Sequence, residues 1–350
     1  MKIGLYNPYF DSLGGGERYT LTLASHWAKK HEVDLFWNNS GLLDKAQKRF
    51  DIDLSRVKVV TNVFNTSNLL AKLAVSRKYD CIFFLTDGSV PTSLARFNIL
   101  HFQVPFAKID GNPFAIRRMT QIVCNSKYTL DHIDAGLQKH ASVIYPPVRQ
   151  VETGYKETKE KMILSVGRFT PVHQAKKQSV MIDAFIQMEE RIPDWTLMLA
   201  GGVLAADEEY LSMLKKQALG HRILIKENIS YDALQDAYKT ASLYWHAAGF
   251  GESDPMYNEH FGITTVEAAS AGAVPLVFSG GGQKEIISDT IDGLLWNTPA
   301  ELIEKSIGLI THADQYKAMQ RKSKLIWEKY SEKVFEQAYD ALLASFIHTS

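Results

Sequence analysis

Short apolar runs recur along the chain, each followed by loop residues or by a stretch with helical spacing. In the first half they fall at 2–6 (KIGLY), 33–37 (VDLFW), 57–60, 81–85, 98–102, 121–124 and 142–145. Alternation of such runs with helical patterns, as in GGGERYTLTLASHWAKKH after the first, predicts parallel βα units with helices covering both faces of a sheet. Pro146 and Pro147 in SVIYPPV stop the seventh strand, and the polar stretch VETGYKETKEK behind them reads as a linker. The pattern then restarts at 162–166, 196–201, 222–227, 242–247, 273–278 and 292–296. The fold class predicted is α/β, with two doubly wound parallel-sheet domains, 1–152 and 153–330, facing a cleft. Ligands of such sheets sit beyond the carboxyl ends of the strands. A last helix, about 331–347 within 331–350, can pack back on the first domain.

Composition narrows the class. A chain of 350 residues exceeds one ordinary core, and 45% hydrophobic with 22% charged residues suits a soluble globular protein. No run of about 18 apolar residues is present, so no membrane span is expected. MKIGLYNPYF is too short and polar for a signal peptide and reads as the first strand. Cys81 and Cys124 both lie in predicted buried strands, which suits reduced core thiols and a cytoplasmic location. Charge divides unevenly: residues 1–150 hold 19 Lys and Arg against 12 Asp and Glu, a net +7, and the remainder holds 20 against 27, a net −7. The basic half could face an anionic lipid surface or a phosphorylated acceptor, or complement the acidic half across the cleft. Basic residues are not interleaved with aromatics, so nucleic acid has no support.

The most informative chemistry lies in EHFGITTVE, where Glu259 and Glu267 stand with seven residues between them. Free backbone N–H groups at a helix start attract phosphate oxygens, while carboxylates nearby accept hydrogen bonds from sugar or ribose hydroxyls. The segment suits a ligand carrying both, such as a nucleotide sugar. It equally suits a helix that opens with an acid for dipole reasons and keeps a second Glu on its wet face. Arg168, at the end of MILSVGR, and Lys176, at the start of KKQSVMIDAF, can clamp a diphosphate or form a solvated basic turn. Lys177 is most simply a surface residue. Gly14, Gly15 and Gly16 let backbone approach a ligand at a helix start or make a plain strand–helix turn, and Gly280, Gly281 and Gly282 repeat the pattern. No G-x-G-x-x-G is formed, so a dinucleotide cofactor is disfavoured. His101 and His246 each end a predicted strand, from where a His can bond a ligand hydroxyl, although a satisfied core His is the ordinary alternative. Asp51 and Asp53 read as a turn rather than a metal site.

Taken together the motifs resemble those of a known family. The Glu259–Glu267 pair with FG inside it and EAASAGAVPLVFSGGGQKEII behind it, GGGER, VCNSKYTLDHI, VIYPPV, VGRF…KK…IDAF and YDALQDAYKTASLYWHA all occur in order, over nearly the whole chain. They are similar to the retaining glycosyltransferases of family 4, which have the GT-B fold of two Rossmann-like domains. The resemblance implies that Arg168 and Lys176 bind the donor diphosphate, that Glu259 contacts the donor sugar, and that Glu267 holds the ribose hydroxyls. It implies that Phe261, Gly262, Ile263 and Thr264 supply backbone to the phosphates, that Gly15 and Gly16 close over donor or acceptor, and that His101 lies near the sugar. HFQVP resembles the H-x-x-P of some mannosyltransferases, which leans the donor toward GDP-mannose. The implied activity is metal-independent transfer of a sugar from a nucleotide-diphosphate donor to a saccharide or lipid-linked acceptor, with no cofactor and no metal site. A non-catalytic nucleotide-sugar binder and a nucleotide-sugar epimerase on the same fold are the rival readings. NLLAKLAVSRKY (68–79) could lie on the inner membrane face as a peripheral contact, or pack on the sheet with a wet basic face.

Overall fold

The computed structural model describes residues 1–10, 14–152, 159–172 and 175–348. The chain divides into two units, Met1–Pro147 with Glu332–Ser350, and Val148–Ser331. Residues 153–158 of the expected linker lie outside the described residues.

The first unit is a seven-stranded parallel sheet of β1 (Lys2–Tyr6), β2 (Glu32–Phe36), β3 (Val57–Val60), β4 (Cys81–Leu85), β5 (Phe97–Phe102), β6 (Gln121–Cys124) and β7 (Ala141–Val143), in the order β3-β2-β1-β4-β5-β6-β7. Each predicted run of this half is a strand, within a residue or two at its ends. Alternate residues serve opposite faces, as the pleat requires. Ile3, Leu5 and Phe83 face a core completed by the helix Gly15–Ala28, whereas Tyr6, Ile82 and Phe84 face a second core. The helix Glu332–His348 belongs to the first of these cores. Phe335, Tyr339, Leu343 and Phe346, spaced four, four and three apart, form its buried stripe. Tyr339 Oη lies 2.8 Å from Tyr19 Oη, and Tyr19 also donates to the Ile144 carbonyl at 3.0 Å.

The second unit is a six-stranded parallel sheet of β8 (Glu160–Val166), β9 (Thr196–Gly201), β10 (Ile223–Glu227), β11 (Ala241–His246), β12 (Val274–Phe278) and β13 (Leu294–Trp296), in the order β10-β9-β8-β11-β12-β13. This is the doubly wound arrangement, in which the order reverses between β8 and β11. β13 is shorter than the predicted 292–296 because Asp292 is taken up in a turn, where its carboxylate accepts from the Ser288 N–H at 2.7 Å. Ile163, Trp245 and Leu276 pack with the helices Gln178–Met188 and Pro299–Thr311 on one face, and Leu164, Tyr244, Tyr238 and Ala268 pack on the other.

Candidate active site

The residues singled out in the second half of the chain assemble around the β8/β11 switch point. β8 ends at Val166, and Gly167 follows it. A Cβ there would meet the Lys176 side chain 2.5 Å away, and a Cβ on Gly201 would collide with the Gly167 carbonyl. The missing side chains bring the two strand ends and the Lys176 stem together. The next residue, Arg168, is exposed, and among the described residues its guanidinium has no ion-pair partner. Its carbonyl is fixed by Gln178 Nε2 at 2.9 Å.

Lys176 Nζ lies 2.6 Å from Glu259 Oε2, with side-chain exposures of 20% and 16%. His246, the last residue of β11, places Nε2 2.9 Å from the same oxygen. Burial raises the Glu259 carboxyl, but Lys176 and His246 outweigh it and hold the group well below the usual carboxylate range. Burial pushes His246 down, and Glu259 opposes that shift only in part. His246 is thus buried and partnered, as a satisfied core histidine would be, and that Nε2 partner is the first Glu of the motif. Lys177 is not a plain surface residue either. It adopts a left-handed conformation (φ 54) ahead of the helix Gln178–Met188, and its Nζ meets Glu252 Oε1 at 2.5 Å, tying down the loop after β11.

Behind Glu259 the chain turns through Gly262 (φ 121), a conformation L side chains rarely adopt, and enters the helix Ile263–Ser270. Phe261 is 3% exposed and packs edge-on against Tyr330, ring centroids 5.1 Å apart. Ile263 and Thr264 are half-buried at the helix start, with Thr264 Oγ1 accepting from Tyr244 Oη at 2.7 Å. Glu267, one turn in, accepts from the buried Tyr238 Oη at 3.0 Å. Gly280–Gly282 braces this turn: Gly282 N–H donates to the Glu259 carbonyl at 2.7 Å, and a Cβ on Gly281 would collide with that carbonyl. The second glycine run thus serves backbone contact with Glu259.

The first-unit candidates lie around β1 and β5. Gly15 is exposed and Gly16 half-buried at the start of the helix Gly15–Ala28. Glu17 Oε2 accepts from the Gly14 N–H at 2.5 Å, and a Cβ on Gly16 would collide with the Gln103 side chain. His101 requires a correction. It is 0% exposed, stacked on Tyr19 with ring centroids 4.1 Å apart and on Phe83 at 5.3 Å. Position at a strand end did not carry it to the surface, because the helix bearing Tyr19 covers it. Burial pushes its pKa down to about 3, against an opposing pull from the Val123 backbone. Asp51 adopts a left-handed conformation (φ 52) closing the helix Leu42–Phe50, and among the described residues no group of three or more His, Cys, Asp or Glu is placed to hold a metal ion. In the helix Leu69–Ser76, Val75 packs on the core while Leu69 and Leu70 are 51% and 78% exposed. No helix among the described residues is long and apolar enough to cross a membrane.

Tyr238 and Tyr244, which hold Glu267 and Thr264, escaped the sequence reading. Both sit in stretches, AYKTASLYWHA, that read as plain core, and no local spacing ties them to residues twenty or more positions away.

The two doubly wound domains are those of a GT-B glycosyltransferase. Residues 150–325 match the model of the family described as glycosyl transferases group 1, and the chain belongs to that family. The GDP-Man:Man(3)GlcNAc(2)-PP-Dol alpha-1,2-mannosyltransferase of Dictyostelium discoideum is 27% identical over 249 residues, which is 65% of this chain and 48% of that protein. The human protein of the same name is 28% identical over 242 residues, 62% of this chain and 47% of its own. The chain thus spans about half the length of the curated relatives it matches. Among solved structures, Anabaena Alr3699/HepE in complex with UDP superposes with a TM-score of 0.78 over 99% of this chain and all of that one, at 19% identity. Sucrose-phosphate synthase of Thermosynechococcus elongatus gives 0.71 over the full length of both, at 13% identity. These two likenesses are of fold.

Proposed function

We propose that the chain is a retaining glycosyltransferase of family 4, acting without a metal ion, that moves mannose from GDP-mannose to a hydroxyl of a lipid-linked saccharide. The observation that carries the reading is the cluster at the β8/β11 switch point. One acid, Glu259, is held charged by Lys176 and His246, beside a helix start and an Arg168 that has no ion-pair partner among the described residues. A donor diphosphate would take Arg168, Lys176 and the N–H groups at Gly262–Thr264, and Glu259 and Glu267 would receive sugar and ribose hydroxyls. The mannose end of the reading leans on the GDP-mannose relatives and on HFQVP.

In this mechanism the bond between the sugar C1 and the phosphate oxygen breaks through an oxocarbenium-like state. The acceptor oxygen attacks C1 on the face the diphosphate leaves, and its proton passes to the departing phosphate oxygen. Arg168, Lys176 and the helix N–H groups stabilise the charge that grows on the diphosphate. Glu259 orients the sugar and supports positive charge at C1 without forming a bond to it. The exposed Leu69 and Leu70, with Lys72, Arg77 and Lys78 on or just after the same helix, suit a peripheral contact with an anionic membrane carrying the acceptor.

A thermal-shift panel of nucleoside diphosphates and nucleotide sugars tests the donor. A ligand at 100 times its Kd adds about 2.7 kcal/mol of stability. Response to GDP and GDP-mannose but not to UDP fits the reading, and a UDP-only response refutes the mannose donor. Turnover that survives EDTA and yields an α-linked product supports metal-free retention. Binding without turnover on any acceptor leaves a non-catalytic binder, and a changed sugar released without acceptor leaves an epimerase.

A further inference from the structure

His246 and Lys176 both reach Glu259 Oε2, yet they are unlike donors. Lys176 ends a four-carbon stem, is one-fifth exposed, and sits over Gly167 next to Arg168. Its ammonium can swing toward a diphosphate arriving at that corner. His246 closes β11, its side chain is 2% exposed, and its ring is fixed by the strand. Its Nδ1 is buried with no hydrogen-bond partner among the described residues. A neutral ring meets these surroundings with its proton on Nε2, donated to the carboxylate. The other tautomer would set a lone pair against the carboxylate oxygen.

We propose that His246 is the positioning residue for Glu259: it holds the carboxylate by Oε2, leaving Oε1 for the donor sugar, when Lys176 turns to the diphosphate. The proposal rests on the donor-site reading above. It gives the two donors on one oxygen separate duties. The mobile cation is shared between acid and diphosphate, and the ring keeps the acid in register throughout the reaction. Glu259 would otherwise lose its restraint at the moment the diphosphate recruits Lys176, when its geometry against the sugar matters most.

The test compares His246→Leu, which removes the donor, with His246→Gln, whose amide nitrogen reaches about the same place as Nε2. Nucleoside diphosphate affinity, nucleotide-sugar affinity and kcat are measured on the full chain, and 15N NMR of the ligand-free wild type reads the ring tautomer. The expected result is a ring protonated on Nε2. His246→Leu should lose at least tenfold in kcat with its nucleoside diphosphate Kd within twofold of wild type, and His246→Gln should recover most of that loss. The proposal is overturned by a proton on Nδ1, by a His246→Leu variant with wild-type kcat, or by failure of Gln to rescue. Parallel loss of turnover and nucleoside diphosphate affinity would overturn it too, since that is what mere damage to the fold gives. A wild type that binds no nucleotide overturns the donor-site reading and this proposal together; it is told apart because the unmodified protein is then silent.

Discussion

Lys176 Nζ and Glu259 Oε2 stand 2.6 Å apart across 83 positions of sequence, a cation and an acid in direct contact. At the proposed donor site, binding would be an exchange in which the diphosphate competes with Glu259 for the ammonium. Lys176→Met is expected to weaken nucleoside diphosphate binding and to lower kcat/KM by roughly 30- to 1,000-fold, the equivalent of about 2–4 kcal/mol of transition-state stabilisation. Arg168→Met should fall in the same range. Glu259→Gln should keep nucleoside diphosphate affinity and lose turnover. Steady-state kinetics beside equilibrium binding separate the three, and a Lys176→Met enzyme with unchanged kcat/KM would contradict the assignment.

Tyr238→Phe removes the hydroxyl that donates to Glu267 at 3.0 Å and little else. A neutral donor to a carboxylate is worth about 1–2 kcal/mol. If Glu267 grips the ribose, the donor KM should rise several-fold with kcat near wild type. A fall in kcat at constant KM would place Glu267 in the chemical step instead.

His101 makes stability depend on acid. In the folded chain the ring stays neutral down to about pH 3, whereas in the unfolded chain it takes up a proton near its ordinary value of 6.5. The unfolded state binds the proton first, so the contribution is complete above pH 6.5 and is lost as pH falls toward 3. The slope is about 1.4 kcal/mol per pH unit, for at most about 5 kcal/mol. Urea unfolding of wild type and His101→Leu from pH 7 to 4 should show the variant losing less stability over that range. Parallel curves would show that the buried ring is not what titrates.

Gly281 has φ 59, and any Cβ there would collide with the Glu259 carbonyl. Gly281→Ala combines backbone strain of about 1–3 kcal/mol with displacement of the first Glu of the motif. A lower melting temperature together with loss of the nucleotide-induced shift is expected in differential scanning calorimetry. A variant that is destabilised but still fully responsive to nucleotide would show that Glu259 tolerates the shift.

Tyr339 is fully buried and meets Tyr19 Oη at 2.8 Å. Tyr339→Ala should cost about 3–5 kcal/mol of first-unit stability through the cavity it leaves. Tyr339→Phe should cost only about 1 kcal/mol, because Tyr19 retains the Ile144 carbonyl as acceptor. Chemical denaturation followed by tyrosine and tryptophan signals distinguishes the two.

The strands were legible because buried parallel strands are short, apolar and punctuated; KIGLY, VDLFW and TLMLAG each announce themselves. Glu259 and Glu267 were legible as a pair because one lies in the loop after β11 and the other one turn into the helix that follows, where spacing along the chain is also spacing in space. The Lys176–Glu259 contact was not, because sheet order, not sequence, brings β8 and β11 side by side. His101 was misplaced for a related reason: a strand end locates a residue along the sheet and says nothing of what covers it, and here Tyr19 does. His246 was legible as a strand-end candidate but its partner Glu259 was not, and the two tyrosines were hidden by their own surroundings, since polar atoms that find partners inside an apolar run look like core until the partner is seen.

The first unit takes its closing helix, Glu332–His348, from beyond the whole of the second. During synthesis, Val148–Ser331 emerges from the ribosome as one uninterrupted piece and can fold as it appears. The earlier-made unit has to wait for residues 332–348, which complete its core, until all of Val148–Ser331 has been made. Birth order and completion order are reversed, so premature termination anywhere before residue 332 removes Phe335, Tyr339, Leu343 and Phe346 from the core of the part made first.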